Sequence, residues 1–289
     1  MIEARPSQTA LLVAKRRAAH QLFDAQPLVL DDPIAVPIIG AAAEHELRTS
    51  ASTQRDRFTQ TARAMMVVRS RFAEDALARA VHDGVSQYIV LGAGLDTFAY
   101  RNPFPALRVF EVDHPTTQAW KHELLAEARV GIPANVTYVA VDFERDTLTE
   151  RLTIAGFDAT APTYVSWLGV TMYLSDDAIA ATLRSIASIS QVTLTLDYSV
   201  PTESLNWMER MIRAQIARRV ARLGEPFRAT FTPEAMHAAL RHAGFNDIED
   251  LDTAEMNARY LRDRTDGLRI GGRSLHVVRA GRTPTDGSR

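Results

Sequence analysis

The stretch YIVLGAGLDTFAYR, residues 88–101, decides the fold. An apolar, β-branched run ends in a glycine turn, the pattern of a strand that stops at the ligand-binding edge of an open α/β sheet. Gly92 and Gly94 allow a tight turn and let a ligand approach closer than a Cβ would permit. A dinucleotide turn of the form G-x-G-x-x-G needs glycine or alanine at position 97, where this chain has Thr97. Asp96 points the same way. A carboxylate at the mouth of the following helix repels a pyrophosphate but accepts hydrogen bonds from backbone amides or a ligand ammonium, so the turn predicts a cationic ligand. The plainer reading is that Asp96 caps that helix.

Outward from this turn, short β-branched runs recur at 87–92, 107–112, 136–141, 163–168, 192–198 and 274–278. Helical patterns at 116–128, 147–155, 176–188 and 233–243 lie between them. Strand and helix alternating in this way predict an α/β fold with a doubly wound, mostly parallel sheet. The first 84 residues are strongly helical and are expected to form a cap over the carboxyl edge of the sheet. Residues 85–280 then form the main domain, with a helical insertion at about 203–228, and 281–289 have the composition of a flexible tail.

Composition narrows the classes. Hydrophobic residues make up 46% and charged residues 24%, as in ordinary folded proteins. The net charge of −2 is spread without a basic stripe, which argues against nucleic acid or an anionic membrane and for a small-molecule partner. With no cysteine and no close histidine pair, no metal site is expected. No signal core or spanning run is visible, so the expected location is cytoplasmic.

Acidic residues also mark the next two strand ends. VFEVDHP places Asp113, with Glu111 on the same face, about 20 residues after Gly92, where an acid accepts from both ribose hydroxyls. AVDFE places Asp142 and Phe143 at the third strand end, where a carboxylate can accept from an adenine amino group beside an aromatic ring. A nucleoside with a cationic arm and no phosphate fits all three positions. S-adenosylmethionine is such a molecule.

The runs LGAGLDT (91–97), FEVDHP (110–115), VDFE (141–144) and WLGVTMYL (167–174) resemble the leucine carboxyl methyltransferase family. Within it the likeness is to a bacterial branch of S-adenosylmethionine-dependent O-methyltransferases that includes polyketide carboxyl methyltransferases. The likeness also takes in residues 7–35, 67–77, 224–236 and 244–251. It implies a class I methyltransferase fold, with a seven-stranded sheet and an added helical amino-terminal cap. It further implies that Arg71 holds the methionine carboxylate, a role Arg69 can share. Gly92 and Gly94 match the cofactor turn, Asp113 the ribose acceptor, and Asp142 with Phe143 the adenine contact.

Two positions depart from the phosphatase-modifying members, which typically carry arginine where this chain has Phe98 and glutamate where it has Leu168. The departures make the acceptor side more apolar and favour a small metabolite, with a carboxylate as the leading acceptor and a phenol or alcohol as the second. A carboxylate needs no base, because its ordinary pKa of about 4 leaves it ionised at neutral pH. A hydroxyl gains from one, and no histidine clearly serves, although His114 lies near the cofactor edge. Trp167, Tyr173 and Tyr198, with Asp197, follow strands four and five and can line the acceptor pocket or pack in the interior. A nicotinamide-dependent reductase is disfavoured by Asp96 and Thr97, and a hydrolase by the lack of a G-x-S-x-G elbow. A non-catalytic S-adenosylmethionine-binding protein stays open.

Overall fold

The computed structural model describes residues 7–143, 145–222 and 224–282. Its strands are β1 (Gln87–Leu91), β2 (Arg108–Asp113), β3 (Val136–Ala140), β4 (Thr163–Trp167), β5 (Val192–Ser199), β6 (Asp247–Leu251) and β7 (Leu275–Gly281). They form one seven-stranded sheet in the order β3-β2-β1-β4-β5-β7-β6. The first five strands run parallel, and β7 runs antiparallel to both β5 and β6. The chain winds outward from β1 to β3 and then returns to lay β4 on the other side of β1. That reversal creates the crevice at which ligands of doubly wound sheets bind, between the carboxyl ends of β1 and β4.

All five residues of β1 are buried, as a central parallel strand covered on both faces requires. The helices that cover it are α1 (Gln8–Phe23), α2 (Gly40–Thr49), α3 (Ala51–Gln54), α4 (Arg57–His82), α5 (Pro115–Glu127), α6 (Leu148–Ile154), α7 (Asp176–Ala187), α8 (Trp207–Arg222), α9 (Pro233–His242) and α10 (Thr253–Tyr260). Several begin as their sequences dictate. Asp56, Ser175 and Thr232 each accept a backbone N–H of the first turn of α4, α7 and α9, and Asp252 with Glu255 forms a capping box on α10.

Two apolar layers sandwich the sheet. On one face Phe110, Val112, Val165, Trp167, Leu194 and Tyr198 pack with Leu152, Leu183 and Leu240 of α6, α7 and α9. On the other, α4 brings Ala76 and Leu77 against Tyr88, Val90 and Tyr164, and Val68 and Phe72 against Val277 and Met256. Within the first 84 residues, therefore, α4 lies flat on the sheet, while α1 and α2 gather with Leu95 and Leu125 at its edge. The proposed insertion at 203–228 contains α8, which buries only Val220. Of the tail expected from 281, Gly281 belongs to β7 and the Arg282 guanidinium lies over the Phe245 ring at 5.7 Å. Residues 283–289 lie outside the described residues.

Two local expectations fail. No α-helix follows the glycine turn; a short 3-10 turn, Phe98–Tyr100, leads into a loop toward β2. Pro103 and Pro105 explain this, since proline and the residue before it resist α conformation. The sixth strand, β6, has no matching run among the sequence signals, because Asp247, Glu249 and Asp250 obscure the pattern at this edge position.

Candidate active site

The glycine turn sits where β1 meets the crevice, and its backbone is left-handed at both Gly92 (φ 64°) and Gly94 (φ 47°). A Cβ on Gly92 would lie 2.3 Å from Cγ2 of Val170, and one on Gly94 would lie 3.1 Å from Cβ of Ala10 in α1. The loop after β4 and the amino-terminal helix therefore press on the turn from two sides. Only glycine fits at Gly92.

Asp113 ends β2 and turns toward the same place. Its Oδ2 accepts the Gly94 N–H at 2.6 Å and its Oδ1 accepts the His114 N–H at 2.6 Å. Burial raises its pKa, against the pull of those two amides. The residue is only partly covered, so oxygen lone pairs remain for further donors. Its strand neighbour Glu111 faces elsewhere: Oε2 takes the Lys121 ammonium at 2.7 Å and the Tyr100 hydroxyl at 3.1 Å, in a fully buried pair.

Asp96 does not cap a helix. Its Oδ1 accepts the Phe98 N–H at 2.8 Å, and its Oδ2 lies 3.1 Å from Nη1 of Arg17 on α1. Burial pushes the Asp96 pKa up, but Arg17, Lys121 and Arg101 prevail and hold it below the usual carboxylate range. The cation that Asp96 faces is thus an arginine of the chain. The same guanidinium reaches Thr97 at 2.7 Å and Asp32 at 3.1 Å, and Asp32 accepts the Thr97 hydroxyl at 2.6 Å. Thr97, which breaks the dinucleotide pattern, is there to anchor the cap.

The two arginines of RSR point in different directions. Arg71 is half exposed and pairs along its own helix with Asp75 at 2.7 Å. Arg69 is buried, bonds Asp197 of β5 at 2.8 Å, and lies flat on Gly169 in the loop after β4. The structure thus brings Gly92, Gly94, Asp113 and Arg69 to the crevice edge, and not Arg71. Helical periodicity held the signal: Arg69 falls with Val68 and Phe72 on the buried face of α4, whereas position 71 falls with Asp75 on the outer one.

Asp142 and Phe143 follow β3 at this edge, with Phe143 packed on the interior and Asp142 anchored through its N–H on Asp146 at 2.8 Å. Glu144 lies outside the described residues. Trp167 is completely buried, and its indole Nε1 has no hydrogen-bond partner among the described residues. Tyr173 is half-buried after β4, with its ring 5.6 Å from the Phe227 ring; burial pushes its pKa up to about 12. Beside it Glu225 accepts from the hydroxyls of Ser7 and Thr9. Tyr198 points away from this edge, with its hydroxyl on Asp250 at 2.6 Å and its ring stacked on His276. It therefore belongs to the interior. Phe98 packs edge-on against Tyr88 and Leu168 is partly buried, so neither places a charge at the acceptor side.

Among the described residues no group of acids and histidines has metal-site geometry, and no helix is long and apolar enough to cross a membrane. The residues fit S-adenosylmethionine: a left-handed glycine turn at the end of β1, a partly covered carboxylate at the end of β2, and a buried arginine beside the loop after β4. The sheet order with its antiparallel β7 and this crevice define a class I S-adenosylmethionine-dependent methyltransferase. The chain belongs to the leucine carboxyl methyltransferase family, whose model matches residues 10–187, more than half of its length.

Relatives and solved structures agree. A Bacillus subtilis (strain 168) protein named "Putative S-adenosyl-L-methionine-dependent methyltransferase YktD" is 27% identical over 95% of this chain and 97% of its own. A Mycobacterium avium (strain 104) protein named "Putative S-adenosyl-L-methionine-dependent methyltransferase" is 34% identical over 75% of this chain and 72% of its own. A Thermobifida fusca crystal structure, titled as a methyltransferase, superposes with a TM-score of 0.58 at 18% identity over 98% of this chain and 97% of that one, which speaks to fold alone. The cofactor is S-adenosylmethionine and the activity methyl transfer.

Proposed function

We propose that this methyltransferase methylates a carboxylate oxygen of a small metabolite. When bound, S-adenosylmethionine supplies a sulfonium-activated methyl group whose departure leaves a neutral thioether. In our reading Asp113 takes the ribose hydroxyls, Gly92 and Gly94 admit the nucleoside close to the backbone, and Asp142 with Phe143 borders the adenine. We give the methionine carboxylate to Arg69 in place of Arg71, because Arg69 faces the crevice and Arg71 faces Asp75.

The acceptor side supports a carboxylate. Tyr173, with its pKa pushed up to about 12, stays protonated at neutral pH, so it donates to an acceptor oxygen and does not deprotonate one. A carboxylate needs only positioning and exclusion of water, and α1 with the loop after β4 supplies a lid for both. The single observation that carries the reading is this pairing of a protonated donor with a family defined by carboxyl methylation. One feature favours a hydroxyl instead: Glu225, beside Tyr173, is a carboxylate placed to take a proton.

Transfer from methyl-labelled S-adenosylmethionine to a panel of carboxylic acids and phenols separates the two. Label that mild alkali releases as methanol marks an ester and upholds the proposal. Label that survives alkali marks an ether and assigns Glu225 as base. The partly buried, apolar Leu168 at the end of β4 favours partly apolar acceptors of the kind found in secondary metabolism, whereas Phe98 is taken up in the interior against Tyr88.

A further inference from the structure

The carboxylate of Asp197 makes a junction that the methyl-transfer scheme leaves unused. The residue is wholly buried near the carboxyl end of β5, where its backbone pairs with Val277 of β7 while its carboxylate reaches outside the sheet. Oδ2 accepts Nη1 of Arg69 at 2.8 Å, Oδ1 accepts the Gly169 N–H at 2.5 Å, and the Asp197 carbonyl accepts the Thr171 hydroxyl at 2.7 Å. One residue therefore fixes the arginine of α4 and the loop that carries Tyr173. Gly169 has φ 72°, and a Cβ there would lie 2.7 Å from Nη2 of Arg69, so the guanidinium plane rests directly on the loop backbone. Among the described residues the guanidinium makes no hydrogen bond other than that to Asp197. Its remaining donors keep the planar fork that matches a carboxylate.

We infer that Asp197 is a positioning residue that holds the Arg69 fork and the 169–173 loop as one rigid unit, aligning the methionine end of the methyl donor with the acceptor side. The inference rests on the reading of Arg69 as the methionine-carboxylate contact. Asp197 suits the task because both its oxygens are acceptors. An asparagine offers one acceptor and one donor, and so serves either the Gly169 N–H or the Arg69 guanidinium but not both. Charge alone is not its role: Asp197 cancels the charge of Arg69, and what it leaves to a ligand is orientation.

The test compares S-adenosylhomocysteine, which has the amino-acid arm, with 5′-methylthioadenosine, which lacks it, by calorimetric titration of the full chain. The wild type binds the first about 10- to 100-fold more tightly, the range of one charge-assisted hydrogen-bonded contact. Arg69→Lys collapses that ratio with the methylthioadenosine affinity held within about twofold. Asp197→Asn is predicted to do the same, and to lower kcat at saturating S-adenosylmethionine. A merely structural role weakens both ligands equally or leaves the ratio unchanged, and either result overturns the inference.

The outcomes also distinguish which reading fails. Equal binding of the two ligands by the wild type rejects Arg69 as the carboxylate contact. A ratio lost in Arg69→Lys but kept in Asp197→Asn rejects only the inference about Asp197. Should Asp197→Asn not fold, Gly169→Ala puts the question from the loop side, since its methyl must displace the fork. A selective loss of S-adenosylhomocysteine affinity supports the inference, and an unchanged ratio overturns it.

Discussion

At the scale of single residues, Gly92 and Asp113 divide the work of admitting a nucleoside. Gly92 carries a left-handed backbone beneath Val170, so Gly92→Ala combines an unfavourable conformation, worth about 1–2 kcal/mol, with a clash at 2.3 Å. We predict a drop of about 2 kcal/mol in denaturant stability and a loss of cofactor affinity, measured by chemical unfolding and titration. Asp113 makes cofactor binding sensitive to pH. A ribose hydroxyl donates to an ionised carboxylate, and burial raises the Asp113 pKa. Affinity for S-adenosylhomocysteine should therefore begin to fall, as the pH is lowered, before an ordinary aspartate of pKa about 3.9 would protonate. Titration across that range checks it. Both residues were legible in the sequence because each stands directly at a strand end, and in a parallel sheet the strand ends line the ligand crevice. The choice between Arg69 and Arg71 was legible only in the helical periodicity of α4, since it turns on which side of that helix meets the sheet.

At the scale of elements, α1 is locked to the glycine turn by Arg17, whose guanidinium meets Asp96, Asp32 and Thr97 with only 4% of its side chain exposed. Removing it leaves the wholly buried Asp32 with Arg101 as its one cationic partner among the described residues. Arg17→Ala should cost about 3 kcal/mol, read from the unfolding midpoint. No sequence pattern announced this network, although an arginine among Ala14, Ala18 and Ala19 on a buried helical face was the available hint. The edge strand β6 was hidden for a related reason, since its acids have partners that only the folded sheet provides. Asp250 accepts from Tyr198, His237 and His276 at 2.6, 2.7 and 3.0 Å. Burial raises its pKa, but these partners outweigh that and hold the carboxyl below its ordinary value. The native state thus binds fewer protons than the unfolded chain in this window, so the contribution is present above pH of about 4 and lost as pH falls through the depressed value. Asp250→Ala should weaken stability at neutral pH by about 1–3 kcal/mol and flatten the acid limb of the stability curve.

At the scale of the whole molecule, the alternation of strand and helix was enough to predict the doubly wound sheet, because each apolar run was long enough to identify itself and the crossovers came with it. The acceptor was beyond reach, since it depends on how α1, the loop after β4 and the chain after α8 meet around Tyr173. The helix α8 stands apart: Trp207 is 70% exposed and Met211 65%. Trp207→Ser and Met211→Ser should change stability by no more than about 0.5 kcal/mol and leave S-adenosylhomocysteine binding unaltered. The central claim is that the crevice between β1 and β4, with Asp113 at its lip, is the cofactor site. The most direct test is calorimetric titration of S-adenosylhomocysteine into the wild-type chain and into Asp113→Ala. Micromolar binding that weakens by about 100-fold or more in the variant is the predicted result, as for the loss of charge-assisted hydrogen bonds to two hydroxyls. Equal affinity in the two proteins would place the cofactor elsewhere and contradict the account.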